Sequence, residues 1–499
     1  MALVGAVQQP APGERPGSAK GIGSRIVNGT MWLAVETWGQ QAMLFAVFIV
    51  LARLLDPDAI GLAALAMVAP VILGVPVTKG LSEAIIQRPH IEPEHLDSAF
   101  WLLAAGGFTL SLLVWMLAGL IATIFGQPLI EELVRYTCLV IFVQSLAPVP
   151  IAILKRHLQF RILALRTLAG TVVGGTLGIS MAIAGYGVWS LVVMQLGKVC
   201  VETTVLLLVG DWRPRLRYCH ERCRELFGFA APIVGFSLWS FINDEMPKVV
   251  LGVFLGPHAV GIYALARRPL EFLTSVFLSP LTGMAMPAVA RMQNDRRRVD
   301  SFFNSSIRVA VLVGFPAFMG LAAIAPDAIP LVFGAQWTSG VLAVQILMFL
   351  GLVRTVDSIC AGTVLALGQS GLILKLNIAY TFFGAILMTI AAHFSIEATM
   401  AAIVFCNLVL VPVFLHYTRQ LTGINVLKPL AVLPKVAAAT AVMFAAVTIW
   451  RTLAEGAAQE PIVLAGGIII GAIAYGAAAM ALLRPDLLEA RALLLKVHG

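Results

Sequence analysis

The feature that most constrains this chain is a succession of apolar stretches, each long enough to cross a bilayer, recurring from residue 29 to residue 483. A hydrocarbon core about 30 Å thick takes roughly 20 helical residues per crossing. Hydropathy places crossings at residues 29–52, 59–78, 99–125, 134–154, 167–186, 188–210, 226–252, 259–288, 303–325, 341–365, 374–393, 397–418, 434–453 and 461–483. Of 499 residues, 59% are hydrophobic and 12% charged. A soluble domain carries about 25% charged residues, so most of this chain is solvated by lipid. The expected fold class is an all-α integral membrane protein of about fourteen transmembrane helices. Its connections are too short to form a soluble catalytic domain.

Residues 1–24 are rich in Pro, Gly, Ala and Gln and lack the apolar run and cleavage site of a signal peptide. They read as a disordered cytoplasmic tail, with residues 485–499 as a second one. The six cysteines contain no CxxC pair and read as small apolar side chains.

Basic residues set the orientation, because cytoplasmic loops of membrane proteins hold an excess of Lys and Arg. With the N-terminus inside, 25 of the 34 fall on the cytoplasmic side, and only Arg53, Arg135 and Arg451 on the far side. The expectation is N-in and C-in. The net charge of +8 is then a product of topology and gives no reason to expect a nucleic-acid partner. The other six basic residues, Lys198, Lys248, Arg267, Arg268, Arg308 and Arg354, fall inside crossings.

Residues 55–66 read LDPDAIGLAALA and residues 255–266 read LGPHAVGIYALA, with seven of twelve positions identical. Each copy sits at the hairpin after the first crossing of a six-crossing block. Six crossings between copies give both the same orientation, which makes a parallel repeat about an axis normal to the membrane. The expected organisation is an N-lobe at 25–218, a C-lobe at 219–425, a central cavity between them, and an appended helix pair at 426–484.

An ionisable group at bilayer depth costs about 2.5 kcal/mol or more, so it faces a cavity or a partner. The seventh crossing contains Asn243, Asp244, Glu245 and Lys248, and the eighth contains Arg267, Arg268 and Glu271. Counted from the hairpin at Gly256, Asp244 and Arg267 lie at matching depth. Pairing within helices is the competing reading, at i,i+4 for Asp244–Lys248 and Arg267–Glu271 and at i,i+3 for Arg354–Asp357. Arg267 and Arg268 are the leading cavity-lining candidates. Glu36, one turn from both Trp32 and Gln40, is a candidate proton or sodium site.

The segments LARLLDPDAIGLAALAMV, AIIQRPHIEPEHLDSAFW, GYGVWSLV, FGFAAPIVGFSLWSFINDEMPKVVLGVFLGPHAVGIYALARRP, MPAVARM and FGAQW resemble the bacterial polysaccharide transport proteins. These are flippases of lipid-linked O-antigen and exopolysaccharide units in the multidrug/oligosaccharidyl-lipid/polysaccharide superfamily. The resemblance covers residues 25–420. It implies a two-lobed inner-membrane bundle that moves an undecaprenyl-diphosphate-linked oligosaccharide to the far leaflet by alternating access. It further implies a cationic cavity, for which Arg267, Arg268, Lys248, Arg308 and Arg354 are the candidates. Glu36, Asp244, Glu245 and Asp357 are candidates for ion coupling, and a polymerase and chain-length regulator are implied as partners. INDEMPKVVLG departs from a family pattern close to N-x-D-x-x-x-I-G, so Asp244 and Glu245 have no matching position.

The main alternative is a cation-coupled drug antiporter of the same superfamily, whose cavity would be dominated by acidic residues. An enzyme would need a larger far-side loop than 326–340, which holds one charged residue, Asp327. Neither a phosphate-cradling glycine loop nor a metal-ligand spacing is present, so no cofactor is expected. The glycines of TVVGGTLGIS read as close helix packing.

Overall fold

The computed structural model describes residues 19–88, 90–210, 212–279, 295–367, 369–424, 426, 428–454 and 459–484. Residues 1–18 and 485–499, which the sequence reading assigns to tails, lie outside these. Helix α1 (Ala19–Leu54) takes in residues 19–24, so the stretch read as tail is helical over its last six positions.

Within the first half, α2 (Pro57–Thr78) and the short α3 (Leu81–Gln87) precede α4 (Pro93–Phe125). The crossing expected at 134–154 is broken into α5 (Leu129–Thr137), α6 (Leu139–Ser145) and α7 (Pro148–Arg156). Pro148 lacks the N–H that would continue the ladder, which accounts for the break before α7. α8 (Phe160–Ile183) and α9 (Trp189–Val209) complete this half.

The second half opens with α10 (His220–Leu273), which continues into a π turn at Thr274–Leu278. α11 (Arg296–Phe333), α12 (Val341–Ala366), α13 (Ser370–Ala392) and α14 (Ile396–Thr422) follow, then the C-terminal pair α15 (Leu433–Ala454) and α16 (Glu460–Leu482). Among the described residues, thirteen helical stretches are long and apolar enough to cross a membrane. One of them, Ala230–Leu278, is 49 residues long and contains non-helical Gly256 at φ 80°. That φ is open to glycine at little cost. A straight helix would hold residues 244 and 267 about 35 Å apart. Instead Arg267 Nη2 lies 3.7 Å from Asp244 Oδ1, so the chain reverses at Gly256 and this stretch makes two crossings. The total is fourteen.

The outer surface is apolar, as a lipid-facing one must be: Phe108, Met116, Ile183 and Leu208 are all exposed. In the first half α8 packs on α1 and α9, and α4 on α5 and α6. In the second half α12 packs on α11 and α14, and α13 on α14. The halves meet most closely where α2 lies against α10. There the two copies of the repeat touch reciprocally. A Cβ on Gly61 would fall 1.8 Å from the Pro257 carbonyl oxygen, and one on Gly261 would fall 2.0 Å from that of Pro57.

Side chains expected on the far side gather at one end. Arg53 donates to the carbonyls of Leu331 and Val332, and Trp337 Nε1 donates to the Ala52 carbonyl at 2.8 Å. Arg451 of α15 pairs with Asp327 of α11 at 3.0 Å. At the other end Arg88 pairs with Glu225, Arg222 with Glu92 at 2.8 Å, and Arg156 Nη1 donates to the Ile85 carbonyl at 2.7 Å. The C-terminal pair is fastened to α11 a second time by Tyr475 Oη, which donates to the Leu312 carbonyl at 2.8 Å.

Candidate functional site

Both arms of the α10 hairpin carry charge into a cavity of about 300 Å³ between the halves, lined from the first half by α1, α2 and α9. Lys248, Glu245, Arg267, Arg268 and Glu271 line it from the second. Such groups can stay charged at bilayer depth only if each has a partner or polar surroundings.

The structure supplies partners, though not all those the spacing suggests. Lys248 pairs with Glu245 at 2.7 Å, three residues away, and not with Asp244 at i,i+4. Asp244, half exposed, instead faces the next arm, where Arg267 reaches both its carboxylate and, at 2.8 Å, its backbone carbonyl. Arg267 also holds Glu271 at 2.5 Å, the spacing expected within the helix. Arg268 reaches Glu271 more loosely, at 3.6 Å, and its guanidinium lies 5.3 Å from the Phe48 ring centre. Of the three bases, Arg268 has the most exposed side chain, at 41%, against 21% for Arg267 and 18% for Lys248. It is the cation best placed to meet a ligand.

The other candidates are spread more widely. Arg354, on α12, lies within electrostatic reach of Tyr263 and Tyr380. Asp357, three residues on, keeps Oδ1 buried with no hydrogen-bond partner, so the expected i,i+3 pair with Arg354 is not closed. Arg308 is on α11. Arg308, Arg354 and Asp357 are not among the side chains that line this cavity. Glu36, on α1, accepts a hydrogen bond from Thr167 Oγ1 of α8 at 2.9 Å. Among the described residues no group of three or more metal-ligating side chains comes together.

Two charged residues near Glu36 were missed by sequence reasoning. Arg166 falls just outside the crossing predicted at 167–186, but α8 starts at Phe160 and holds it within electrostatic reach of Glu36 and Glu202. Glu202, on α9, is a turn from Lys198 at 4.0 Å. The i,i+4 spacing of Lys198 and Glu202 in an apolar crossing was the available signal. Lys198 in turn lies within electrostatic range of Arg268 across the halves. The glycines of α8 fit the close packing expected of them: a Cβ on Gly174 would fall 2.6 Å from the Met194 carbonyl oxygen of α9.

Among the described residues, fourteen crossings surround a charged cavity to which both halves contribute, an arrangement that suits a membrane transporter. The fold is similar to that of a solved lipid II flippase, MurJ, in an inward closed conformation, with a TM-score of 0.74 over 91% of this chain and 99% of that one at 14% identity. It is also similar to an inward-facing multidrug resistance MATE family transporter of the MOP superfamily, with a TM-score of 0.61 over 77% of this chain and 94% of that one at 16% identity.

The chain belongs to the family described as polysaccharide biosynthesis protein, which it matches over residues 50–342. It is 28% identical to the succinoglycan biosynthesis transport protein ExoT of Rhizobium meliloti over 61% of this chain and 62% of that protein's length. It is 24% identical to the lipopolysaccharide biosynthesis protein WzxC of Escherichia coli over 72% of this chain and 73% of that one. A probable low-salt glycan biosynthesis flippase, Agl15 of Haloferax volcanii, is 24% identical over 71% of this chain and 75% of that protein.

Proposed function

We propose that the protein is a flippase that moves an undecaprenyl-diphosphate-linked oligosaccharide unit across the cytoplasmic membrane for surface polysaccharide synthesis, with both termini on the cytoplasmic side. The observation that carries this reading is the half-exposed Arg268 guanidinium beside Arg267 and Lys248, in a cavity between the two halves of a polysaccharide-biosynthesis-family fold. Guanidinium and ammonium groups suit a diphosphate through charge-assisted hydrogen bonds. Glu271 and Asp244 hold Arg267 in place, and Glu245 holds Lys248, so the cations are positioned before a ligand arrives.

The two repeats supply the moving parts. Residues 25–218 and 219–425 act as lobes that rock about the α2–α10 contact and expose the cavity to each side in turn. The protein performs no covalent chemistry in this reading. A polymerase and a chain-length regulator would receive the delivered unit.

A deletion strain tests the function. Loss of surface polymer, with intact lipid-linked units trapped on the cytoplasmic leaflet and restored by complementation, is the expected result. Normal polymer with no trapped lipid would favour the drug-antiporter reading.

A further inference from the structure

The charged groups in the first half do not fit a diphosphate. Glu36, Arg166, Lys198 and Glu202 sum to zero charge, and α1, α8 and α9 bring them together beside the cavity but beyond its lining. Their hydrogen bonding is incomplete. Glu36 accepts from Thr167, and Lys198 and Glu202 stand 4.0 Å apart. Arg166 Nε and Glu202 Oε1 are both buried without a hydrogen-bond partner. A cluster that served packing alone would be stabilised by closing these bonds, because an unmade buried one costs roughly 1–3 kcal/mol. An added cation fits poorly, because two bases already answer the two carboxylates. What the group lacks is a ligand that both donates and accepts.

We propose that this cluster is a glycan subsite, in which Glu36, Arg166 and Glu202 bind hydroxyl groups of a sugar adjoining the diphosphate. Vicinal hydroxyls donate to a carboxylate and accept from a guanidinium, so one sugar satisfies both orphaned atoms. Trp32 and Gln40 lie one turn on either side of Glu36 on the same stripe of α1, and add an apolar ring face and an amide. The glycines of α8 make the room. A Cβ on Gly170 would fall 2.5 Å from Glu202 Cγ, and one on Gly174 would fall 2.8 Å from Lys198 Cβ. The side chains of Lys198 and Glu202 keep 16% and 17% exposure, so the group remains reachable. The cavity's volume of about 300 Å³ sits at the lower end for a ligand site, and an oligosaccharide must extend beyond it. Lys248, Arg267 and Arg268 lie on the second half and this group on the first, which sets the direction, with diphosphate on the second half and sugar on the first.

The subsite rests on the flippase reading, and the experiment separates the two. Purified full-length protein in detergent is titrated, by native mass spectrometry, with undecaprenyl diphosphate and with the lipid-linked glycan extracted from a deletion strain. The wild type is expected to bind the glycan-bearing lipid about 10-fold more tightly, the gain from one or two charge-assisted hydrogen bonds. In Glu202→Gln that preference shrinks to about threefold or less while affinity for bare undecaprenyl diphosphate is unchanged. Trp32→Leu, which breaks no ion pair, shows the same loss should Glu202→Gln fail to fold. Arg268→Gln weakens both lipids equally. Equal binding of the two lipids by the wild type, or a preference that survives both N-half variants, overturns the subsite and leaves the flippase reading standing. A deletion strain that traps no lipid-linked glycan, or a protein that binds neither lipid, overturns both.

Discussion

Asp58 and His258 are 200 positions apart and occupy the same place in the two copies of the repeat, yet Asp58 Oδ2 lies 3.1 Å from His258 Nδ1. Two equivalent residues meet only where a two-fold axis passes between their copies. The reciprocal contacts of Gly61 with Pro257 and Gly261 with Pro57 flank the same axis. The two copies of the segment repeated in the sequence therefore meet in a reciprocal contact between α2 and α10.

That contact predicts matched effects. Gly61→Ala and Gly261→Ala each drive a methyl into a backbone carbonyl, which cannot yield as a flexible side chain would. Each should destabilise the protein by about 1–3 kcal/mol or more, and the two by similar amounts. Thermal melting in detergent measures both. A neutral Gly61→Ala beside a damaging Gly261→Ala would show that the reciprocity is broken.

Lys248, partly buried, pairs with the buried Glu245, so losing one partner should harm more than losing both. Lys248→Met leaves Glu245 uncompensated and should cost about 3–5 kcal/mol, whereas Lys248→Met with Glu245→Met should recover most of that stability. Transport should be recovered in neither, because the cation is gone. Melting temperature and a polymer assay, at matched protein level, separate the two effects.

Arg268 should behave in the opposite way. Its side chain is 41% exposed and its contact with Glu271 is loose, so Arg268→Gln should change stability by no more than about 1 kcal/mol. Surface polymer should nonetheless fall to the level of the deletion strain. Normal polymer in that variant would remove Arg268 from the site.

At the end expected to be cytoplasmic, the Glu225 carboxylate is held below its usual range chiefly by a hydrogen bond from Arg88, with further help from the charge of Arg88, from His95 and from Arg222. A depressed folded value means that this stabilisation is complete above the unfolded value of about 4.3 and is lost as pH falls through the folded one. Glu225→Gln should therefore flatten the loss of thermal stability between pH 5 and pH 3, a range set by that unfolded value of about 4.3. A variant with the wild-type acid profile would show that Glu225 contributes nothing there.

Much of the fold was legible because lipid imposes a length and a polarity on every crossing. Among the described residues each predicted crossing has a helical counterpart, and the hairpin expected from the repeat at Gly256 is where the chain reverses to bring Arg267 to Asp244. The site was legible only in part. Asp244 and Glu245 both stand at helical spacing from Lys248, and only the rotation of α10 decides which one pairs. Arg166 was lost to a boundary. A crossing predicted to start at residue 167 excludes it, whereas α8 begins about two turns earlier, at Phe160, and brings Arg166 within electrostatic reach of Glu36 and Glu202. Sequence gives the depth of Arg308 and Arg354 but not the direction they face, and neither lines the cavity beside Arg268.

The most direct measurement is translocation by the purified protein in vesicles. Lipid-linked glycan from a deletion strain, placed in one leaflet, is followed by its accessibility to an enzyme or label confined to the other side. Transfer by wild-type protein, none by protein-free vesicles, and little by Arg268→Gln is the predicted result. Equal accessibility with and without the protein, from a preparation that melts cooperatively, would contradict the assignment of this cavity to a lipid-linked glycan.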